Sequence, residues 1–149
     1  MCVIVDANVA ALVFREKPDP DFAPVLDWLS SPRTKGCVVY GGHLEEELTK
    51  RRDTRVRLLT LSRTGRAILC SRERVDEAER WAKATGLCRS DDSHVIALAR
   101  VSGARTLCSR DRDLHADFKN KTLVDNPRGA IYQNPSHRRH LRHTRSCGR

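Results

Sequence analysis

Short apolar runs separated by longer polar stretches set the rhythm of the chain. Cys2 to Val5 is a β-branched run stopped by Asp6, too brief for a helix, and it predicts a buried strand. Ala7 to Phe14 predicts a helix, Pro18 and Pro20 a loop, and Asp21 to Ser30 a second helix carrying Phe22, Val25, Leu26 and Leu29. Cys37 to Tyr40 predicts a second strand. Gly41 and Gly42 predict a tight connection into a polar helix that starts at His43 and runs, with interruptions, to Thr64. Ala67 to Cys70 predicts a third strand, and the spacing of Val75, Ala78, Trp81 and Ala82 predicts an amphipathic helix from Ser71 to about Gly86. Ser90 is placed to cap a further helix that Asp91 and Asp92 open and Gly103 ends. Thr106 to Ser109 predicts strand four, Asp111 to Phe118 a short helix, and Thr122 to Val124 a fifth strand. Strands alternating with helices in this order predict an α/β fold on a parallel sheet.

The 149 residues suit one core, which at this length buries roughly 70% of the surface the unfolded chain exposes. The longest apolar run, Val9 to Phe14, is far short of the roughly 18 residues a spanning helix needs, and Cys2 to Val5 is too short for a signal-peptide core. No membrane association and a cytoplasmic location are therefore expected. The six cysteines are widely spaced, which excludes a paired-thiolate zinc site. Cys2, Cys37, Cys70 and Cys108 sit in apolar stretches, where reduced thiols serve as small core residues.

The formal net charge is +9, and the excess is localised. Lys50, Arg51, Arg52, Arg55, Arg57, Arg63 and Arg66 face only Asp53 across their stretch. Residues 127–149 hold six arginines, among them Arg138, Arg139 and Arg142, and no acid, leaving the rest of the chain mildly acidic. Such segregation suits a polyanion on one surface and a cation at another site. The last segment has few apolar residues, so 1–126 is expected as the folded domain and 127–149 as a basic, partly disordered extension in which only Ile131 and Tyr132 can dock on the core.

In an open α/β sheet a ligand site lies beyond the carboxyl ends of the strands, and acids stand there repeatedly. Asp6 closes strand one, Asp91 and Asp92 open a later helix, Asp111 and Asp113 follow strand four, and Glu45, Glu46 and Glu47 lie in the helix after Gly42. Each acid alone has an ordinary role as a cap, turn or solvated residue. Together they are another matter, because each like-charged pair at about 4 Å costs about 4 kcal/mol at an effective dielectric of 20, so convergence calls for a cation. Hard oxygen donors select Mg²⁺ or Mn²⁺, and such an ion beside a basic surface is what phosphodiester hydrolysis uses.

The segments "VIVDAN" (Val3 to Asn8), "EEEL" (Glu45 to Leu48), "DDSHVIALA" (Asp91 to Ala99) and "LCSRDRDL" (Leu107 to Leu114) resemble, in order and content, the motifs of the PIN domain family of small metal-dependent ribonucleases. The resemblance spans the chain to about Asp125. It implies a single-domain α/β/α sandwich with a central, mostly parallel sheet of four to five strands. It also implies an endoribonuclease that leaves a 5′ phosphate and a 3′ hydroxyl. Carried over residue by residue, it assigns Asp6, Glu47, Asp92 and Asp111 to catalysis. Asp6, Asp92, Asp111 and Asp113 become ligands of Mg²⁺ or Mn²⁺, while Asn8 and Ser109 orient those carboxylates. With Leu44 and Leu48 facing inward, the step of about 100° per residue turns Glu46 away and leaves Glu45 and Glu47 beside the apolar side. The family's Glu-Leu pairing points to Glu47 and its Asp-x-His pattern to Asp92, with Glu45 and Asp91 as the alternatives. Ala7 departs from the Thr or Ser usual after the first Asp, removing one hydroxyl beside the ligand. Lys50, Arg51, Arg52, Arg55, Arg138, Arg139 and Arg142 are the expected contacts to RNA. Some PIN domains are toxins of toxin–antitoxin pairs and many dimerise, so an antitoxin or other protein partner and a homodimer are further expectations. Two other functions stand beside this one: a non-catalytic RNA-binding or complex-forming module on the same fold, and a phosphatase with Asp6 as nucleophile, which Asn8 disfavours because it replaces the second Asp such enzymes carry.

Overall fold

The computed structural model describes residues 1–142 and Cys147. Its centre is a five-stranded, all-parallel sheet in the order β3-β2-β1-β4-β5, where β1 is Cys2–Val5, β2 Cys37–Tyr40, β3 Ala67–Leu69, β4 Thr106–Cys108 and β5 Ala130–Tyr132. β1 is fully buried along its length, as its unbroken apolar run requires of a central parallel strand. Ile4 stands opposite Leu107 and Val3 opposite Val38, which sets the middle of the core.

Helices α1 (Ala7–Phe14) and α2 (Ala23–Ser30) connect β1 to β2, and α3 (Gly42–Thr49) and α4 (Arg52–Arg63) connect β2 to β3. The long crossover from β3 to β4 carries α5 (Arg72–Ala84) and α6 (Ser93–Ser102), which pack on each other, and α7 (Arg112–Lys119) leads from β4 towards β5. Because parallel crossovers are right-handed, reversing direction along the sheet after β3 sends the later helices to the opposite face, giving the three-layer α/β/α arrangement. α6 is buried from Ser93 to Ala99 and ends at Gly103 in the left-handed region (φ 79°), which glycine adopts without steric cost.

Four local expectations change. The helix beginning at His43 divides into α3 and α4 around Lys50 and Arg51. Residues 122–124 are turn rather than strand: after a cis Asn126–Pro127 bond, the fifth strand forms at Ala130–Tyr132 against β4. Part of the segment expected as an extension thus belongs to the sheet, because Ile131 and Tyr132 supply the apolar surface that β4 lacks on that edge. A 3₁₀ helix at Pro135–Arg142 follows, with Leu141 buried. Residues 143–146 and 148–149, including Arg145, lie outside the described residues. Finally, Cys2 is not a reduced core thiol: Cys147 pairs with it in a disulfide across 145 residues, and among the described residues Cys37, Cys70, Cys88 and Cys108 are not disulfide-bonded. Among the described residues no helix is long and apolar enough to cross a membrane.

Candidate active site

Strand order reverses between β1 and β4, and an open sheet of this kind has its ligand crevice where that reversal leaves the two strand ends diverging. Asp6 follows β1 at this point. Its backbone N–H donates to the Cys108 carbonyl at 3.0 Å, extending the ladder by one residue, and its carboxylate is fixed by the Ser109 hydroxyl, which donates to Oδ2 at 2.8 Å. The same hydroxyl accepts from the Asp111 N–H at 3.1 Å. Ser109 therefore ties the end of β1 to the loop after β4. Asp111 in turn caps α7, with Oδ1 accepting from the N–H groups of Asp113 and Leu114 at 3.0 and 3.2 Å.

Two helix starts complete the wall. Gly42, at φ 57°, begins α3 where an added Cβ would lie 2.8 Å from Val75 Cγ1, so both conformation and space demand glycine there. α3 then carries Glu47 to within 3.6 Å of His94, measured from Oε2 to Nε2. Donor atoms of Glu47, Asp92 and His94 all lie within 4.8 Å of one another. Asp92 is the N-cap of α6, a place the sequence reading gave to Ser90. Ser90 has a different task. Its hydroxyl accepts from the Asp92 N–H at 3.2 Å and donates to Asp117 Oδ2 at 2.9 Å. The Asp117 carboxylate, buried on α7, also accepts from the N–H groups of Arg89 and Ser90 at 2.8 and 2.9 Å. Asp117 thus clamps the loop that presents Asp92, a part that the motif reading missed. The signal was available, since Asp117 falls between Leu114 and Phe118 on the apolar face of its helix.

The electrostatics record how close these acids come. Burial pushes the Asp6 carboxyl up to about 6, Ser109 and the Ala7 N–H oppose the rise, and the negative charges of Asp92 and Glu47 add to it. Asp92 is also raised, first by burial and then by Glu47, Asp111 and Asp91, with His94 opposing. Asp6, Glu47, Asp92 and Asp111 therefore share one field. An all-oxygen set of mutually repelling, partly buried carboxylates fits a hard divalent cation such as Mg²⁺ or Mn²⁺.

Other expected residues stand apart. Glu46 points outward to Arg72 at 2.6 Å, as the helical register predicts, and Asp91, Asp113 and Asn8 are exposed. Asp6 takes its side-chain hydrogen bond from Ser109 rather than Asn8. Lys50, Arg51, Arg52 and Arg55 lie at the α3–α4 junction. Arg51 pairs with Asp53 at 3.3 Å, and Arg51, Arg52 and Arg57 line a groove of about 740 Å³ with Phe14 and Val56. Arg138 and Arg142 border a separate hollow beside Trp28, and Arg139 borders one beside His115, both on the segment after β5.

No family model matches the chain, and no curated protein matches it. Among solved structures it is similar to a chain from the crystal structure of VapBC2 from Rickettsia felis bound to a DNA fragment from their promoter. That similarity has 14% identity and a TM-score of 0.49, and it covers 89% of this chain and 100% of that one.

Proposed function

We propose that the chain is a Mg²⁺- or Mn²⁺-dependent endoribonuclease of the PIN type, with its centre in the crevice between β1 and β4. The observation that carries this reading is the gathering of Asp6, Glu47, Asp92 and Asp111 from four separated stretches of sequence, close enough that Glu47 adds to the rise of both Asp6 and Asp92 and Asp111 to that of Asp92. Asp6, Asp92 and Asp111 would hold the cation, and the exposed Asp113 would reach it only from the solvent side. Such an ion, when bound, would lower the pKa of a water and offset charge at the scissile phosphorus. Ser109 holds Asp6 and the Asp111 loop in register. Glu47 Oε2 accepts the proton of the attacking water as the new P–O bond forms and the bond to O3′ breaks, and the departing O3′ takes a proton from solvent, which leaves a 5′ phosphate and a 3′ hydroxyl. Lys50, Arg51, Arg52 and Arg55 take the phosphates of the RNA on one side, and Arg138, Arg139 and Arg142 extend the basic surface. An antitoxin-like inhibitor, a homodimer and a cytoplasmic setting belong to the same proposal and rest on the sequence resemblance.

The test is cleavage of end-labelled RNA by the full chain with Mn²⁺. Wild type is expected to cut, and Asp6→Asn to lose roughly a thousandfold in rate with an unchanged far-UV spectrum. RNA binding that weakens with salt but yields no Mn²⁺-stimulated product in the wild type overturns the proposal in favour of a binding module on this fold.

A further inference from the structure

Behind the carboxylate crevice a second group of ligating side chains comes together from three helices. His43 opens α3, Glu79 lies in the middle of α5 and His94 in the first turn of α6. Each offers one donor atom, and the three donors lie within 4.8 Å of one another. His43 Nδ1 stands 3.1 Å from Glu79 Oε1, and the two imidazoles meet edge to face with centroids 5.8 Å apart. Glu79 and His94 are buried at 6% and 4% exposure, whereas the His43 side chain is 47% exposed and opens the group to solvent.

Ordinary packing does not account for this arrangement. His94 Nε2 is buried without a hydrogen-bond partner, and Glu47 Oε2, at 3.6 Å, is beyond hydrogen-bonding range. Glu79 occupies the apolar face of α5 between Val75 and Ala82, a position that favours an aliphatic side chain unless the carboxylate is needed. Its present partners are His43 and the exposed Lys83, whose Nζ lies 3.3 Å from Oε1.

We propose that His43, Glu79 and His94 form a binding site for a borderline transition-metal ion of the Zn²⁺ class, adjoining the carboxylate crevice through His94, which also borders Glu47 and Asp92. Two imidazoles and one carboxylate are a donor set that prefers Zn²⁺ to Mg²⁺, and they leave a fourth position open on the side of His43. Bonds of about 2.0–2.1 Å require the donors to draw in towards an ion, which the half-exposed His43 side chain has room to do. The ion replaces Lys83 and the His43 N–H as the counter-charge of Glu79. His43 and Glu47 lie four residues apart on α3, and His94 and Asp92 two apart at the start of α6, so the two sites share their supporting elements. The inference does not rest on the nuclease reading.

The test is equilibrium dialysis of the full chain against Zn²⁺, with Co²⁺ as a spectroscopic probe. In millimolar Mg²⁺, which occupies the carboxylate crevice, one Zn²⁺ per chain is expected at micromolar Zn²⁺. His43→Gln, a change at a half-exposed position that leaves the core intact, should weaken binding by roughly tenfold or more, and Asp6→Asn should leave it unchanged. Zn²⁺ should also raise the melting temperature of the wild type and not of His43→Gln. Four results overturn the proposal: no Zn²⁺ binding by the wild type, equal binding by His43→Gln, loss of binding in Asp6→Asn, or a thiolate-to-cobalt charge-transfer band, which would assign the ion to cysteines.

Discussion

The acids at the carboxyl ends of β1 and β4 and the arginines of α4 are both dense in charge, yet they are held in opposite ways. Asp6 is 4% exposed, anchored by Ser109 and raised first by burial and then by Asp92 and Glu47, so its charge opposes the fold that contains it. On α4 the apolar contacts come from Leu58 and Leu61, while Arg52, Arg55 and Arg63 remain exposed. Those arginines cost the fold little, because water and salt screen them. Charge that the fold tolerates at the surface is free to serve any anionic partner. Charge that the fold must carry against burial and repulsion is specific to one place and one kind of ligand.

That contrast can be broken at four points, in falling order of effect. If the carboxylates act as a unit, Asp6→Asn and Asp92→Asn each cost roughly a thousandfold in RNA cleavage, about 4 kcal/mol, and the double variant costs little more; additive losses in single-turnover assays would show that the two acids work independently. Ser109→Ala removes the hydroxyl that joins Asp6 to the Asp111 N–H, and a loss of about 10- to 100-fold in cleavage is expected with the fold intact, measured as the Mn²⁺ dependence of rate. Because the Asp6 carboxyl titrates higher in the folded chain than its ordinary 3.8, the folded state binds the extra proton between pH 4 and 6, and the stability of the metal-free chain falls as pH rises through that window. Asp6→Asn should therefore stabilise metal-free protein at pH 7.5, on the order of 1–3 kcal/mol by urea unfolding, and flatten the profile below pH 6. A destabilised variant at pH 7.5 would mean that Asp6 supports the fold through its charge. Replacing Arg52 and Arg55 by Gln should change stability by less than about 0.5 kcal/mol while lowering the salt slope of RNA binding by roughly one unit. An unchanged slope would move the RNA path away from α4.

Much of the frame was legible in the chain itself. Strands at Cys2–Val5 and Cys37–Tyr40, and the helix at Ala7–Phe14, form where the apolar runs place them, because short β-branched segments and an eight-residue apolar run leave few alternatives. The outward turn of Glu46 followed from helical register alone. By contrast, Thr122–Val124 has strand-like composition, but Leu123 and Val124 are buried within a turn, and the edge of β4 is filled by Ala130–Tyr132. Edge strands of three residues are chosen by the neighbour they pair with, so local composition decides little. The Cys2–Cys147 pairing was likewise invisible, since nothing in the spacing of the cysteines brings the two ends of the chain together.

For the site, the sequence by itself determined which acids follow which elements and that their donors are hard oxygens. Only the tertiary structure decided the rest: the reversal of strand order at β1 and β4, the hydrogen bond from Ser109 to Asp6, the Asp117 clamp on the loop before Asp92, and the meeting of His43 with Glu79 and His94. The reason is physical. An element's own residues fix its periodicity and caps, over a range of a few residues. Convergence of side chains dozens of residues apart depends on sheet order and on which helices share a face, and those are set by burial of the whole core at once.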